Sequence, residues 1–435
     1  MTALTGPFLV NDSTGSDTAS SGIGPSTAVS FTGLIDASGS PTEVTTNDSV
    51  SGISAGHVLY ADTISSGRKF NIVASVSTTF GTTTITCDFD WGDNFNGTVV
   101  CGGKRDTLGG LADAFNTTNG FDCEVSLETD VTMNATATCG SSRQVKVYSS
   151  ESKTRRKITT DQQYPFSGGH WTFTDLTFHS TFSGSDGRLF QTAGAVGNAS
   201  VVAENCTFGD VSNTNNFKQL INGVSSSSIL INPMPFTAIG CLFINFDLAM
   251  GGCFKPRFVN CHFKDMPYVH RGRLNGIDFD IQMQGEFTGC FFENCTRIDD
   301  ATDGRYVSFY GCIFDGITGT STGFSAIAGF NYDNGKECSK FAGNLLTNCA
   351  VVSDELEGDL NFLYNTTTGI AGLANSVTLG ADPYVNRSGG DFDFTADASS
   401  RFEFDSGQRK YKLFAQHHAG GGGFTKVGLN GGIDG

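Results

Sequence analysis

The sequence predicts an all-β protein wound as a right-handed parallel β-helix, a solenoid of short stacked strands, and three observations support this. The chain has 435 residues with 56 glycines and 37 phenylalanines, and only 16% of its residues are charged. Many strand-forming and turn-forming residues with few charges are typical of short strands joined by tight corners. The length exceeds one globular core, so the chain folds as several domains or as one repeat array. The third observation is an internal repeat.

The repeat is a segment of eight residues with the pattern Phe-x-x-Cys-x-Phe-x-x. Some copies have Ala in place of the first Phe, and two degenerate copies lack the Cys. The seven copies are residues 173–180, 203–210, 238–245, 258–265, 287–294, 309–316 and 341–348. The Cys position is filled by Cys206, Cys241, Cys261, Cys290 and Cys312.

Each position of the repeat has a structural interpretation. The residue before the Cys position is Asn, Gly or Asp in every copy, and these types tolerate positive φ, so the chain bends there. Cys and Phe are two residues apart and therefore share one face of a strand. A second corner residue lies two positions after the Phe, and the next residue is usually apolar. The pattern predicts coils in which Cys stacks on Cys and Phe on Phe.

The cysteines are interpreted as buried free thiols, which behave as small apolar side chains. There are 13, an odd number, so at least one is unpaired within the chain. Two alternatives remain open, zinc ligands and an extracellular disulfide scaffold. Zinc sites usually bring ligands in close pairs such as Cys-x-x-Cys, and the sequence has no such pair.

Charge and hydropathy exclude some partners. The formal net charge of −17 argues against nucleic acid, whose phosphates need Lys and Arg, and against anionic membrane surfaces. The sequence has no run of about 18 apolar residues that would predict a transmembrane helix. Residues 1–10 lack a basic region followed by a long apolar one, so we expect no signal peptide and folding in a reducing cytosol.

Two elements are predicted before the solenoid. Leu108, Leu111, Ala112 and Phe115 follow helical spacing within residues 107–118, which predicts a short amphipathic helix that caps the solenoid. Strand-like segments at 58–60, 70–76 and 82–90 predict a small β-module. The segment 123–133 alternates as a strand and is expected to begin the first coil.

We therefore expect five regions along the chain. They are an N-terminal strand and loop (1–44), the β-module (45–105), the parallel β-helix with its cap helix (106–375), C-terminal cap strands (376–419) and a glycine-rich tail (420–435). Within the fourth region, residues 401–405 and 410–416 alternate as strands.

Candidate catalytic groups are few and scattered. The acids are Asp88, Asp90, Asp299, Asp300 and Asp303, and the bases are Arg271 and Arg273. Nothing in the sequence brings them together, and acidic clusters are often solvated loop tips. No nucleophile elbow, phosphate loop or zinc-hydrolase motif is present.

Candidate metal ligands have simpler explanations. The side-chain oxygens of the Asn, Asp, Ser and Thr residues at 11–17 have a spacing that suits Ca²⁺ ligands. The same spacing suits Asx turns, which we favour. His417 and His418 lie in a polar stretch before a glycine run. His262 lies between Cys261 and Phe263 and is expected to point outward to solvent. We assign no catalytic, cofactor-binding or metal-ligating residue and expect no cofactor.

Both ends of the chain resemble a known superfamily. Residues 8–17 and 22–27 resemble the start of many pectate-lyase-like β-helix proteins, where a strand ending in Asn-Asp-x-x-Gly-x-Asp leads through a Gly-Pro-Ser/Thr loop into the capping helix. Residues 381–394 resemble their closing Asp-Pro-aromatic-Val and Gly-Asp-Phe segment. The superfamily includes pectin lyases, polysaccharide hydrolases, adhesins and phage virion proteins. The retained Met1, the expected lack of a signal peptide and the glycine-rich tail are most similar to the phage branch.

The resemblance implies a structural or adhesive protein of a phage particle, such as a capsid decoration, fibre or tailspike component, folded in the host cytoplasm. The alternative is a polysaccharide-degrading lyase or hydrolase on the same scaffold. Expected partners are two further copies in a homotrimer, because a solenoid has flat sides that suit packing about an axis, together with other virion proteins and a cell-surface glycan. Neither nucleic acid binding nor membrane insertion is expected.

Overall fold

The structure is a computed structural model. It describes residues 1–116, 120–151, 154–184, 187–191, 199–210, 219–222, 235–245, 250–251, 254–271, 285–299, 307–318, 340–349, 357–359, 361–366, 373–374, 377–389, 391–395, 403–405 and 410–412. The chain divides into two compact units, residues 1–202 with 227–234 and residues 203–226 with 235–435.

The first unit contains a barrel, one short helix and the first coils. Its elements are β1 (Phe8–Val10), β2 (Val29–Asp36), β3 (Ser40–Thr46), β4 (Val58–Tyr60), β5 (Phe70–Thr79), β6 (Thr82–Cys87), β7 (Phe95–Cys101), a 3-10 turn (Gly109–Leu111), α1 (Ala112–Phe115), β8 (Cys123–Leu127), β9 (Val131–Met133), β10 (Ala137–Thr138), β11 (Gln144–Ser149), β12 (Arg156–Thr160), β13 (Phe166–Ser167), β14 (His170–Thr174), β15 (Leu176–Ser180) and β16 (Arg188–Gln191). Strand β17 (Ser200–Glu204) runs across the division between the units.

The strands of successive coils in the first unit form three parallel sheets. Their strand orders are β1-β8-β11-β14, β9-β12-β15 and β10-β13-β16. The segment 123–133 is thus two strands on different sheets, because the chain turns a corner between Leu127 and Val131. The first strand, β1, is also part of the solenoid and pairs in parallel with β8.

The cap helix is present but shorter than the sequence predicted. Helix α1 spans four residues and follows the 3-10 turn. Leu108, Leu111 and Phe115 are buried as predicted, and Ala114 is buried in place of Ala112. The Phe115 ring meets that of Trp171 edge-on at 5.7 Å, so the helix covers the interior of the first coils. Residues 117–119 lie outside the described residues.

The inserted β-module is a closed antiparallel barrel with strand order β2-β3-β6-β5-β4-β7. Strand β2 closes it by pairing with β7 from Val29↔Cys101 to Ile35↔Phe95. The barrel therefore starts at Val29, and residues 29–44, which the sequence boundaries placed in the leading region, contribute two of its strands. Trp91, Val44 and Ile85 are fully buried at its centre.

The second unit contains later coils and two C-terminal hairpins. Its strands are β18 (Thr207–Gly209), β19 (Gln219–Asn222), β20 (Pro235–Ile239), β21 (Leu242–Ile244), β22 (Met250–Gly251), β23 (Phe254–Val259), β24 (His262–Lys264), β25 (Tyr268–Arg271), β26 (Gly285–Thr288), β27 (Phe291–Glu293), β28 (Arg297–Asp299), β29 (Val307–Tyr310), β30 (Ile313–Asp315), β31 (Lys340–Ala342), β32 (Leu345–Thr347), β33 (Glu357–Asp359), β34 (Phe362–Tyr364), β35 (Leu373–Ala374), β36 (Val377–Thr378), β37 (Tyr384–Asn386), β38 (Asp391–Phe394), β39 (Glu403–Asp405) and β40 (Lys410–Lys412), with a 3-10 turn at Arg387–Gly389.

The coils of the second unit form three parallel faces. The first face is β20-β23-β26-β29-β31-β33-β35, the second is β18-β21-β24-β27-β30-β32-β34-β36 and the third is β19-β22-β25-β28. Long parallel sheets with short strands confirm the predicted fold class. The two C-terminal strands predicted near residues 401–416 form the hairpin β39–β40, and the tail 420–435 lies outside the described residues.

The first corner of the repeat has the backbone conformation that the sequence predicted. The residue before the Cys position has positive φ in all seven copies: Asp175, Asn205, Gly240, Asn260, Gly289, Gly311 and Gly343. Five copies also have positive φ at the second corner: Asn245, Asp265, Asn294, Gly316 and Asn348. These residue types accept that conformation at low cost, so the local sequence fixes where each coil turns.

The interior of the second unit is a column of stacked rings. Phe263 stacks on Phe292 with ring centroids 5.0 Å apart, and Phe292 stacks on Phe314 at 4.7 Å. Registers Phe263↔Phe292 and Phe292↔Phe314 place like residues on neighbouring coils. The predicted Phe ladder is confirmed, and these three rings are fully buried.

Beside the rings runs the predicted column of thiols. All five repeat cysteines are fully buried and free. The Cys290 thiol donates to the carbonyl of Phe258 at 3.5 Å, and the Cys312 thiol donates to that of Phe287 at 3.3 Å. In the next coil Asn344 takes the Cys position, and its Nδ2 donates to a carbonyl of the preceding coil.

Candidate functional site

The candidate site starts from a column of polar residues on the outer side of the second face. Lys264, Glu293, Asp315 and Thr347 are register neighbours on β24, β27, β30 and β32. Each follows an inward-facing Phe or Leu by one residue, so alternation along the strand turns it outward. Parallel in-register stacking therefore brings a base, two acids and a hydroxyl together from distant parts of the sequence.

The hairpin β37–β38 packs on the same outer side. Apolar residues of the face and of the C-terminal segment form one cluster: Phe291, Ile313, Leu345, Phe362, Leu379 and Tyr384, with Tyr364, Val377, Phe392 and Phe394 packed against it. This covering removes the polar column from bulk water, because Glu293 and Asp315 retain only 10% and 4% side-chain exposure.

Glu293 accepts hydrogen bonds from two bases. Lys264 Nζ lies 2.7 Å from Oε1 and His262 Nε2 lies 2.9 Å from Oε2. Burial alone would raise the pKa of Glu293, but these hydrogen bonds and the nearby positive charge outweigh it and lower the pKa. Glu293 is therefore held as a carboxylate.

Asp315 is bound by a bidentate arginine. Arg387 Nη2 lies 2.6 Å from Oδ1 and Arg387 Nε lies 3.1 Å from Oδ2, and the Thr347 hydroxyl donates to Oδ1. Burial raises the pKa of Asp315 in spite of these partners, and the charge of Glu293 adds to the rise. The two acids thus have pKa values shifted in opposite directions.

A groove of about 760 Å³ lies between the polar column and the hairpin, within the range of roughly 300–1,000 Å³ usual for small-molecule sites. Its lining combines carboxylates, amides, a hydroxyl and a guanidinium with two aromatic rings. The lining residues are Glu293, Asn294, Asp315, Asp382, Tyr384, Val385, Asn386, Arg387, Ser388 and Phe392. We call this the hairpin groove.

Tyr384 has an unsatisfied polar group at the hairpin groove. The residue is 4% exposed, and among the described residues its hydroxyl has no hydrogen-bond partner. The neighbouring Thr347 hydroxyl donates to Asp315 instead. Burial raises the pKa of Tyr384 well above its usual value, so this group stays protonated and is a donor without an acceptor.

The acids that the sequence singled out in the barrel serve local structure. Asp88 accepts from the backbone and hydroxyl of Thr2, the latter at 2.9 Å. Asp90 accepts from the Gly92 amide at 2.7 Å. Asp88 thus holds the N-terminal Thr2 against the barrel and Asp90 fixes a local turn, and neither acid contacts another candidate catalytic group that the structure describes.

The remaining candidates are only partly described. Arg271 ends β25 and Asp299 ends β28, which are neighbouring strands with His270↔Asp299 in register. Arg273, Asp300 and Asp303 lie outside the described residues, as do His417 and His418.

The segment at residues 11–17 forms the turn that the sequence favoured. Asn11 Oδ1 accepts from the backbone of Ser13 and of Thr14 at 3.1 and 3.0 Å, which is an Asx turn. Asp17 accepts from the Thr107 amide at 3.1 Å and pairs with Arg105. Across the described ranges, no group of three or more His, Cys, Asp or Glu side chains is arranged to hold a metal ion.

The expectation for His262 was wrong in part. The side chain lies on the outer side of its strand, yet it is only 16% exposed. Glu293 binds it, and the Phe291 ring stacks on it at 4.7 Å. The next coil therefore covers the position that single-strand alternation assigns to solvent.

Sequence reasoning did not select Glu293, Asp315 or Arg387. A usable signal was present, because Lys264, Glu293 and Asp315 occupy one repeat position, directly after the second Phe. Arg387 lies within the closing segment 381–394, and no repeat position distinguishes it there.

Comparisons with known proteins identify no relative by sequence. No protein-family model and no curated protein matches the chain. Among solved structures, a PL6 family alginate lyase, AlyGC, is similar with a TM-score of 0.38 and 13% identity, over 62% of this chain and 38% of that one. The chain thus spans well under half of the lyase, and the likeness bears on neither activity nor substrate. No helix in the described part of the chain is long and apolar enough to cross a membrane.

Proposed function

We propose that this chain is a structural or adhesive protein of a virus particle, in which a rigid β-helix presents the hairpin groove to a surface glycan. The observation that carries the adhesive role is the groove itself. It is a polar groove beside a hairpin that an ion pair fixes to the solenoid.

The stacked interior supports a mechanical role. Like residues repeat on neighbouring coils, with Phe on Phe and Cys beside Cys. Each added coil buries apolar surface against the one before it, which is how a solenoid gains stability with length. A protein of this construction suits a fibre, spike or decoration.

The pairing of the buried acids supports binding over catalysis. Glu293 contacts Lys264 and His262, and Asp315 contacts Arg387 and Thr347. An acid that gives or takes a proton must reach the substrate, whereas these oxygens are occupied by neighbouring side chains. Asp315 fixes the hairpin through Arg387, and Glu293 joins two neighbouring coils through Lys264 and His262.

A polysaccharide-degrading enzyme is the second candidate, and one observation favours it. The pKa of Glu293 is lowered and that of Asp315 is raised, and such opposite shifts distinguish base from acid in many hydrolases. Reducing-end assays on neutral and acidic polysaccharides, with Glu293→Gln and Asp315→Asn as controls, test this candidate. Turnover that both variants abolish would favour the enzyme.

The particle assignment has a direct test. Mass spectrometry of purified virus particles from the cells that produce this chain should detect it in fixed ratio to a major capsid protein. Its absence from particles and presence only in soluble extract would contradict the virion role.

A homotrimer is part of the same proposal, since flat-sided solenoids suit packing about a parallel axis. Light scattering of the isolated protein should give about three times the chain mass of 46.0 kDa. A monomer at every concentration would contradict it.

A further inference from the structure

We infer that the hairpin groove binds an uncharged saccharide and rejects acidic sugars such as uronates. The inference rests on the proposed adhesive function and specifies its ligand. Three features of the groove support it: the negative charge of its lining, the ion pairs that already engage the nearby Lys and Arg side chains, and the uncharged polar groups at its rim.

The lining is acidic. Three carboxylates, on Glu293, Asp315 and Asp382, face one guanidinium, on Arg387. Among the described residues Asp382 makes no ion pair, and its Oδ1 accepts only from the Tyr384 amide, at 3.0 Å. A further carboxylate brought by a ligand would meet like charge, which disfavours binding.

The cations are already engaged. Arg387 makes two contacts with Asp315, and Lys264 lies 2.7 Å from Glu293. A uronate that recruited Arg387 would leave the buried Asp315 carboxylate without its ion-pair partner, which is strongly unfavourable. Among the described residues, the groove therefore has no free basic group with which to recognise an acidic sugar.

The remaining groups suit hydroxyls. Asn294, Asn386 and Ser388 are exposed at the rim, and amides and hydroxyls both donate and accept. The half-buried ring of Phe392 meets that of Tyr384 edge-on at 5.2 Å and gives the groove an apolar wall for a sugar ring.

The test is calorimetric titration of the full chain at low ionic strength with dextran, mannan and galactan against alginate and polygalacturonate. Ser388→Trp fills the groove, and Ser77→Trp, at an exposed barrel position, is the matched control. We expect at least one neutral polysaccharide to bind, with affinity lowered at least about tenfold by Ser388→Trp and unchanged by Ser77→Trp. Acidic polysaccharides should bind at least about tenfold more weakly. Ser388→Lys adds a positive charge and should reduce the difference in affinity between neutral and acidic polysaccharides. Ser388→Glu adds a negative charge and should not reduce it.

The outcomes separate this inference from the proposed function. Alginate or polygalacturonate binding as tightly as the neutral chains, and lost in Ser388→Trp, would overturn the neutral ligand and leave adhesion through the groove standing. Neutral binding that survives Ser388→Trp would overturn the groove as the site. Absence of all binding would overturn the inference, whereas the virion role fails only if the chain is missing from particles.

Discussion

Arg387 and Asp315 are 72 residues apart in sequence and form a bidentate ion pair, with contacts of 2.6 and 3.1 Å. The carboxylate is 4% exposed and the guanidinium 23%. Because Asp315 belongs to a coil and Arg387 to the turn after β37, this pair fixes the C-terminal hairpin to the second face. The hairpin groove depends on that attachment.

Arg387→Ala should destabilise the attachment by about 3–5 kcal/mol, since it leaves a buried carboxylate uncompensated. Urea unfolding with hydrogen exchange at β37 and β38 measures the effect. Arg257→Ala is the matched control, because Arg257 and Glu286 form an exposed pair at 3.5 Å, and it should cost about 0–1 kcal/mol. Adding Asp315→Asn to Arg387→Ala should restore part of the loss. Equal effects of the two arginine variants would contradict the role of the pair.

Acid should act on the two buried carboxylates with opposite sign. Glu293 has a pKa lowered from 4.5, so its stabilising contribution is complete above pH 4.5 and is lost as the pH falls through its folded value. Asp315 has a pKa raised from 3.8, so its contribution is complete below pH 3.8 and is lost as the pH rises through its folded value.

Thermal unfolding between pH 3 and 7 tests these signs. The stability difference between the parent and Glu293→Gln should shrink on acidification, because the parent loses the contribution of the Glu293 carboxylate. On acidification over the same range, the parent should gain stability relative to Asp315→Asn. Parallel pH profiles for all three proteins would show that neither carboxylate has a shifted pKa.

The coils could be predicted from sequence because their determinants are local. Residues that accept positive φ, such as Asn260 and Gly289, mark the bends, and period two assigns the inward Phe. The polar column could not be predicted in the same way, because it depends on which coils become neighbours. His262 illustrates this, since its own strand directs it outward and the following coil supplies Glu293 to cover it. The position of Arg387 depends on how the hairpin docks, which no local pattern encodes.

The repeat thiols should resist labelling in the native protein. Cys261 and Cys290 are fully buried, and burial raises the pKa of both, so little reactive thiolate forms near neutral pH. Labelling with iodoacetamide should be slow before denaturation, and all 13 cysteines should react after it. Rapid native labelling, or disulfides among the five repeat cysteines in non-reducing mass analysis, would contradict the buried free column.

Removing one ring from the stack should be costly. Phe314 is fully buried and lies 4.7 Å from Phe292 with nearly parallel planes. Phe314→Ala should lower the free energy of unfolding by about 3–5 kcal/mol, the range for emptying a core Phe site. Phe314→Leu is the control, because Leu346 takes the same register position in the next coil, and it should cost under about 1.5 kcal/mol. A loss below about 1 kcal/mol for the alanine variant is the scale of a surface change and would contradict the inward position.

The tip of the barrel hairpin β5–β6 is strained. Thr79 pairs with Thr82, so Phe80 and Gly81 form a two-residue turn, and both have positive φ, at 51° and 85°. Such turns favour Asn-Gly, whereas Phe80 is a bulky residue with a fully exposed side chain. An L-residue in this conformation costs roughly 1–2 kcal/mol.

Replacing Phe80 with Asn should therefore raise stability, by up to about 1 kcal/mol, because Asn enters this conformation with less strain. Thr79→Asn, one position earlier in the strand, should give no gain. Hydrogen exchange of the β5 and β6 amides in the full chain, together with the urea midpoint, measures both variants. Slower exchange in Phe80→Asn alone is the expected result. A loss of stability in Phe80→Asn would show that the Phe80 side chain has a packing partner, for which the subunit interface of the proposed trimer would be the first place to look.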